Sequence, residues 1–520
     1  MTNYAIELSG ISKSFGPVQA NKDIDLAVEA GTIHGIVGEN GAGKSTLMSI
    51  LYGFYVPDEG SINVFGEPLE FNSSQKAIEA GIGMVHQHFM LGEPFTVLEN
   101  IVLGAEGGFL LGGALKKARA SLLELSERYG LSVDPDATIG SLPVGVQQRV
   151  EILKALYRKA DILILDEPTE VLILDEPTGV LTPQEADALF DILRSLKEQG
   201  TTIILITHKL HEIMDVTDRV SVIRRGEMVG HRETAATSPE ELAELMVGRK
   251  VLLEVEKSPA QPKEVALSVK GLDYVDEKGI QRLSNVTFDV KAGEILGIAG
   301  VSGNGQAQLL EVLSGMHTPT GGSITVQGAP LANTPDKVRG QSIGHVPEDR
   351  QHMGLVTAFP AWESGILGFQ ASALYCNRGA MKTGLIKREV GELMQKFDVR
   401  PPNPLLGTAK FSGGNQQKIV LAREIDKAPD VLLVGQPTRG VDIGAIEFIH
   451  KQIIAMRDAG AAILLVSVEL EEVLSLSDRV VAMFDGFCSP DRITAETDER
   501  SLGLLMAGEF DRRTSEGMAA

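Results

Sequence analysis

Gly38-Glu39-Asn40-Gly41-Ala42-Gly43-Lys44-Ser45 fits G-x-x-x-x-G-K-[ST] at every fixed position. Ile33-His34-Gly35-Ile36-Val37 precedes it and reads as a short buried strand. Thr46-Leu47-Met48-Ser49-Ile50-Leu51 follows and reads as the start of a helix. Strand, glycine loop and helix are the context this motif requires. The glycines let backbone N–H groups turn onto phosphate oxygens. The helix N-terminus behind them adds further donors and the positive end of a dipole. Lys44 would reach the β- and γ-phosphates, and the Ser45 hydroxyl would face Mg²⁺. This one segment predicts an α/β domain built to hold a nucleotide.

The chain is too long for one such domain. Its 520 residues predict two or more cores. A hydrophobic fraction of 43% with 23% charged residues is the profile of a soluble globular protein. The formal charge of −22 disfavours a nucleic-acid platform, which needs clustered Lys and Arg. Cys376 and Cys488 stand far apart, in no metal-ligand spacing, as expected of a reducing compartment. The first residues show no basic region followed by an apolar core, so no signal peptide is expected. No apolar run approaches the ~18–20 residues of a membrane span. Any work on a membrane is therefore expected to pass through another subunit.

A second copy of the pattern lies downstream. Gly31-Thr32-Ile33-His34-Gly35-Ile36-Val37-Gly38 is matched by Gly293-Glu294-Ile295-Leu296-Gly297-Ile298-Ala299-Gly300. Glu99-Asn100-Ile101-Val102-Leu103-Gly104 is matched by Glu363-Ser364-Gly365-Ile366-Leu367-Gly368. The two matches are offset by 262 and 264 residues, so the repeat is a duplicated domain rather than a solenoid. Glu256–Lys263, polar with two prolines, marks the seam. The expected division is a first domain over 1–250, a linker over 251–265 and a second domain over 266–512. Each half alternates short apolar strands with amphipathic helices, which predicts a largely parallel core sheet.

Within the first half, Gly83-Met84-Val85-His86-Gln87 ends a strand in a glutamine. Leu142-Pro143-Val144-Gly145-Val146-Gln147-Gln148 leads into a helix. The strand Asp161–Leu165 ends in Asp166-Glu167, and Thr201–Thr207 ends in His208. An apolar strand ending in Asp-Glu can hold Mg²⁺ through water on the first carboxylate and take a proton on the second. This ending occurs twice: LILDEPTEV over 163–171 is followed at once by LILDEPTGV over 172–180.

These residues, in this order and in both halves, resemble the ATP-binding cassette (ABC) family over nearly the whole chain. The resemblance implies two tandem P-loop cassettes, each with a mainly parallel core sheet, an antiparallel β subdomain and a helical subdomain. It implies ATP contacts from Phe15, Gly38, Glu39, Asn40, Gly41, Ala42, Gly43, Lys44, Ser45 and Thr46. Signature contacts would come from Ser412, Gly413, Gly414 and Gln416, because cassettes of this family pack head to tail. Mg²⁺ would be held by Ser45, Gln87 and Asp175. Catalysis would fall to Glu176, with Gln87 and the switch histidine His208; Glu167 serves if the first copy is used. Spacing alone does not choose between the copies. In the second half, 21 residues separate Gly414 from Gly435 and 32 separate Gln436 from Val468. Asp166 satisfies the upstream interval from Gly145, and Glu176 satisfies the downstream interval to His208. Loop tolerance leans towards Asp175 and Glu176, since an insertion at the far end of the strand is better accommodated.

Departures from the family pattern sort by site. The first half keeps Lys44, Ser45, Gln87, an Asp-Glu pair and His208, but has Pro143 and Val144 in its signature. The second half has Gln306, Ala307, Glu348, Gly435, Gln436 and Val468 at the corresponding places, yet keeps Ser412-Gly413-Gly414-Asn415-Gln416. Head-to-tail pairing would put every intact part in one site and every altered part in the other. A two-cassette chain without a span resembles the ATPase subunit of ribose and galactose importers. Val144–Arg158 and Gly435–Ala445 look closest to the branch serving nucleosides with a lipoprotein receptor. That implies two permease subunits, an extracytoplasmic substrate-binding protein, and a peripheral place on the cytoplasmic face of the inner membrane. The stretch from His88 to Gly104 is expected to dock a permease helix. A ribosome-associated two-cassette ATPase is the alternative, but the short seam lacks its usual charged helical linker. A chromosome-organising ATPase would need a coiled-coil or zinc insertion, for which there is no room.

Overall fold

The computed structural model describes residues 4–16, 18–39, 41–69, 74–85, 91–103, 111–128, 131–142, 144–157, 162–166, 183–207, 209–250, 257–301, 303–441, 443–506 and 508–510. The chain divides into two compact units, Met1–Val251 and Leu252–Ala520.

In the first unit, β1 (Tyr4–Phe15), β2 (Val18–Glu29), β4 (Glu59–Val64) and β5 (Glu67–Pro68) form an antiparallel sheet in the order β2-β1-β4-β5. The second sheet uses β3 (Ile33–Val37), β6 (Ile82–Val85), β7 (Ile162–Asp166), β8 (Thr202–Ile206), β9 (Arg219–Arg224) and β10 (Glu227–Glu233), in the order β10-β9-β3-β8-β7-β6. Every pairing in it is parallel except that of β9 with β10. β3 is buried along its whole length, as a continuous apolar strand covered on both faces must be. His34 lies inside this strand, with Nε2 2.7 Å from Ser221 Oγ. Burial, aided by His231 and Arg219, lowers its pKa to about 4, so the ring is neutral. Gly35 lets the helix Leu210–Val216 press close: a Cβ there would meet Ile213 Cδ1 at 2.7 Å.

The second unit repeats the plan. β11 (Val265–Val275), β12 (Gln281–Lys291), β14 (Gly321–Val326) and β15 (Ala329–Pro330) form its antiparallel sheet. β13 (Ile295–Ala299), β16 (Ile343–Val346), β19 (Val431–Gly435), β20 (Ala462–Ser467) and β21 (Arg479–Phe484) form its parallel core, in the order β16-β19-β20-β13-β21. β17 (Cys376–Asn377) and β18 (Ala380–Met381) make a small hairpin, and β22 (Phe487–Cys488) and β23 (Arg492–Ile493) flank β21.

One helix of this unit, Gly413–Ile425, has a polar anchor at its far end. The guanidinium of Arg423 is buried and donates to Gly354 O at 2.7 Å, Ser364 O at 3.1 Å and Glu424 Oε1 at 2.8 Å. Glu424 is fully buried and also takes a two-pronged contact from Arg339 at 2.8 and 3.1 Å. Removing one member of such a network costs more than the bonds themselves, because the remaining charge stays buried. Arg423→Ala is expected to destabilise the second unit by roughly 3 kcal/mol. Denaturant titration checks this, and an unchanged midpoint would contradict it.

Candidate functional site

The phosphate loop of the first unit runs from the end of β3 into the helix Lys44–Leu51. Gly43 caps the helix at φ 105°, and no side chain caps that end. A Cβ at Gly43 would stand 2.3 Å from Ala20 O, so both its conformation and its surroundings require glycine. Asn21 Nδ2 donates to Gly43 O at 3.1 Å, tying the β1–β2 hairpin to the loop. Ala42 N bonds Glu39 O at 3.0 Å, and Gly226 N bonds Ala42 O at 2.9 Å. The loop is thus held from both sides by backbone. Lys44 is 5% exposed, and its Nζ donates to Gly38 O at 2.7 Å and Glu39 O at 3.4 Å. The ammonium lies across the mouth of the loop, where a phosphate would take over from those carbonyls. Ser45 follows on the first helical turn. This set of a cation, a hydroxyl and a helix N-terminus fits a Mg²⁺–nucleotide.

The same hairpin carries Phe15. Its ring is 43% exposed and meets Tyr55 edge-on, with centroids 5.2 Å apart. Lys13 Nζ stands 5.7 Å from the Phe15 centroid and pairs with Asp58 at 2.9 Å. An exposed, braced aromatic ring on the hairpin that is tied to the phosphate loop through Asn21 is suited to stacking on a base. Sequence reasoning missed Tyr55, which gives no signal before the hairpin and the helix end are brought together.

β7 and β8 end side by side, with Asp166 opposite Ile206. Thr207, just after β8, is buried and bonds Glu212 at 3.0 Å, fixing the exit towards position 208. The register runs Ile162 with Thr202 through to Asp166 with Ile206. The strand between β6 and β8 is therefore drawn from the first copy of the repeated nonapeptide. The second copy, to which loop tolerance leans, gives no described residue to set against it. Asn40, Gln87, Glu167, Asp175, Glu176 and His208 lie outside the described residues.

The second unit has the same frame with different chemistry. Gln306 occupies the place of Lys44, 3% exposed, with Nε2 on Val301 O at 3.0 Å. Its Oε1 is buried with no partner among the described residues. An uncharged amide that turns an unsatisfied acceptor inward gives poor accommodation to phosphate. At the end of β19, a Cβ on Gly435 would meet Glu348 Cγ at 2.7 Å and Leu310 Cδ1 at 2.6 Å. The space an aspartate would use is thus filled by Glu348, arriving from the end of β16. Gln436, at φ 45°, donates to the Glu348 carboxyl and accepts from Val468 N at 3.3 Å. The ends of β16, β19 and β20 are thus bonded to one another.

Burial pushes the Glu348 carboxyl up to about 7, against the pull of Arg439. The folded form therefore keeps a proton that the unfolded chain, near 4.5, has released. Stability from this group is fully present below about pH 4.5 and is lost as pH rises through 7. Glu348→Gln is expected to match the parent at pH 5 and to exceed it at pH 8 by about 2 kcal/mol. Unfolding curves at the two pH values check the difference, and an equal shift at both would show that charge burial is not the cause.

The signature of the second unit opens the helix Gly413–Ile425. Ser412 is exposed at its N-cap, and its Oγ accepts from Asn415 Nδ2 at 2.8 Å. Gln416 turns inward, 4% exposed, with Nε2 on Thr408 O at 3.2 Å and Oε1 3.5 Å from Gln351 Nε2. Its side chain braces the segment before the helix instead of facing a ligand. In the first unit the helix Val144–Tyr157 begins at the corresponding place, and Gln147 Nε2 bonds Leu142 O at 2.9 Å. Pro143 lies outside the described residues.

Two phosphate-loop domains in tandem, one with a full set of phosphate-binding residues, define a P-loop ATPase of the cassette type. The sequence profile of the ABC transporter family matches residues 21–170 and 283–439, more than half the chain. The chain belongs to the ABC transporter family and is an ATP hydrolase of that class. It is 47% identical over 504 residues to the nucleoside import ATP-binding protein NupA of Lactococcus lactis subsp. cremoris, covering 97% of this chain and 98% of that one. It is 46% identical over 510 residues to the guanosine import ATP-binding protein NupO of Bacillus subtilis, covering 98% of each. A solved complex of the archaeal ribosome recycling factor aABCE1 with stalk protein aP1 aligns over 93% of this chain and 90% of that chain. Its TM-score is 0.59 at 18% identity, a likeness of fold alone.

Proposed function

We propose that this chain hydrolyses ATP to energise a membrane importer of nucleosides, with simple sugars as the alternative cargo. The observation that carries the reading is the sorting of residues between the halves. Lys44 and Ser45 stand on one phosphate loop, and Ser412, Gly413 and Gly414 stand on the signature of the other half. One competent composite site follows, with Phe15 under the base and the loop from Gly38 to Thr46 around the phosphates. Ser45, Gln87 and the aspartate that ends β7 would hold Mg²⁺, which would supply neutralisation of phosphate charge. The following glutamate takes the proton of the attacking water, with His208 and Gln87 positioning it. The second site, with Gln306, Gly435 and Gln436, hydrolyses poorly. Nucleosides are favoured as cargo by the likeness to two nucleoside import proteins over almost the full length.

Among the described residues, no helix is long and apolar enough to cross a membrane. The partners are two permease subunits and an extracytoplasmic binding protein, with this chain peripheral on the cytoplasmic face. Phe95 and Leu103, 46% and 54% exposed, flank the helix Val97–Val102 and give the docking segment an apolar surface. Affinity purification from membranes tests the reading. Co-purification of a permease, whose receptor then binds a nucleoside in ligand screening, supports it. A receptor specific for pentose or hexose moves the cargo to sugars. Recovery with ribosomes overturns it.

A further inference from the structure

Arg350 of the second unit stands where three separate segments meet. It lies just beyond β16, two residues after Glu348 and at the start of the turn Arg350–Gly354. Its Nη1 donates to Arg439 O at 2.6 Å, and Nη2 lies 3.5 Å from Gly440 O. A Cβ on Gly413 would stand 2.6 Å from Nη2 and 2.7 Å from Gly440 O. The guanidinium is therefore wedged between the loop after β19 and the first residue of the signature helix.

That helix is tied through its first turn to other segments: Asn415 Oδ1 accepts from Arg400 N at 2.6 Å and Gln416 Nε2 donates to Thr408 O at 3.2 Å. It opens on Gly413-Gly414, which bring no side chains to pack and have high conformational freedom. No side chain caps its N-terminus. Asn415 also restrains the Ser412 hydroxyl, and the Arg350 guanidinium stands between the first turn and the loop Arg439–Val441. Arginine suits this position, because its planar fork presents several donors in a fixed geometry and one side chain can reach two adjacent carbonyls.

The two halves differ at this position. β6 and β16 align with an offset of 261 residues, which places Phe89 of the first half where Arg350 stands in the second. At the aligned position the first half has phenylalanine in place of arginine, and it has Pro143-Val144 in its signature; the second has both Arg350 and the intact Ser412-Gly413-Gly414. The strut accompanies the signature that is fit for use.

We propose that Arg350 is a positioning residue for ATP hydrolysis, holding the first turn of the signature helix against the loop after β19 so that Ser412 and Gly414 keep one orientation towards nucleotide. The proposal rests on the reading that this signature completes the site at Lys44. Arg350 touches no nucleotide itself. Its loss therefore weakens nucleotide engagement through misplacement, without removing a donor to phosphate.

The experiment uses the full chain assembled with its permease, in the variants Arg350→Ala, Arg350→Lys and Ser412→Ala. ATPase activity is measured against ATP concentration, and thermal unfolding is recorded for each. Arg350→Ala is expected to raise KM for ATP about ten-fold with a smaller change in kcat. Arg350→Lys, which keeps the charge but not the fork, is expected to recover part of that loss. Should Arg350→Ala fail to fold, the KM of Arg350→Lys still decides: an unaltered value overturns the proposal. An inactive Ser412→Ala beside an Arg350→Ala with parental KM overturns the strut while leaving the composite site standing. Full activity in Ser412→Ala overturns the composite reading, and the proposal with it. Loss of kcat and melting temperature together at unchanged KM assigns Arg350 a general structural role and also overturns it.

Discussion

Lys44→Ala is expected to abolish most ATPase activity of the assembled transporter, Ser412→Ala to do the same, and Gln306→Ala to change it little. Lys44 is buried on the mouth of its loop, held by two loop carbonyls and ready to exchange them for phosphate. No other cation on that loop can replace it. Removing one preorganised stabiliser of transition-state charge costs ~10²–10³ in rate. Ser412 stands exposed at a helix N-cap, as a group reaching for an external ligand must. Its hydroxyl is oriented by Asn415, so truncation removes a prepared donor. Gln306 carries no charge, and its amide is already committed to Val301 O. Its removal subtracts nothing from a phosphate. Steady-state ATPase assays on the three variants check the set, with melting curves to show that each is folded. A Gln306→Ala variant as impaired as Lys44→Ala would mean that both phosphate loops work, and the asymmetric assignment would fall.

Glu167→Gln is expected to trap ATP and stop turnover, whereas Glu176→Gln leaves turnover running. β7 is built from Ile162–Asp166 and pairs in register with β6 on one side and β8 on the other. That register sets Asp166 level with the end of β8, and the next residue is Glu167. The strand end that the structure describes is taken as the working one. Loss of a general base costs ~10²–10⁴ in rate. The amide that replaces it still accepts a hydrogen bond, so nucleotide remains bound. Single-turnover hydrolysis and retention of labelled ATP separate binding from chemistry. The reverse result would place the second copy at that strand end. Full activity in both variants would mean that neither glutamate is the base.

Much of the architecture is legible because its signals are local. A strand, a glycine loop and a helix are specified within about twenty residues around Gly38. The duplication is visible because the same local pattern recurs after 262 residues. Lys44, Ser45 and the signature Ser412-Gly413-Gly414 are recognisable because phosphate chemistry requires particular residue types at fixed spacing. The substitutions Gln306, Gly435 and Gln436 could be read as losses for the same reason. Gln416 shows where that logic overreaches: the residue type fits the pattern, but its amide is spent on Thr408 O inside the protein.

What replaced the lost groups was not legible. Gly435 and Glu348 lie far apart in the chain and meet only because β16 and β19 pair in parallel. The exchange of one carboxylate for another is a property of that pairing, and neither position signals it alone. Arg350 and Gly413 meet in the same way, through packing of the turn after β16 against the signature helix. The repeated nonapeptide draws the line most clearly. Its two copies differ only at Glu170 and Gly179, so their local preferences for strand and turn are the same. Sequence alone offered both copies equally for that strand, since each is an apolar run ending in Asp-Glu. In the structure β7 takes its residues from the first copy, and its register with β6 and β8 is a non-local relation that the local sequence of neither copy carries.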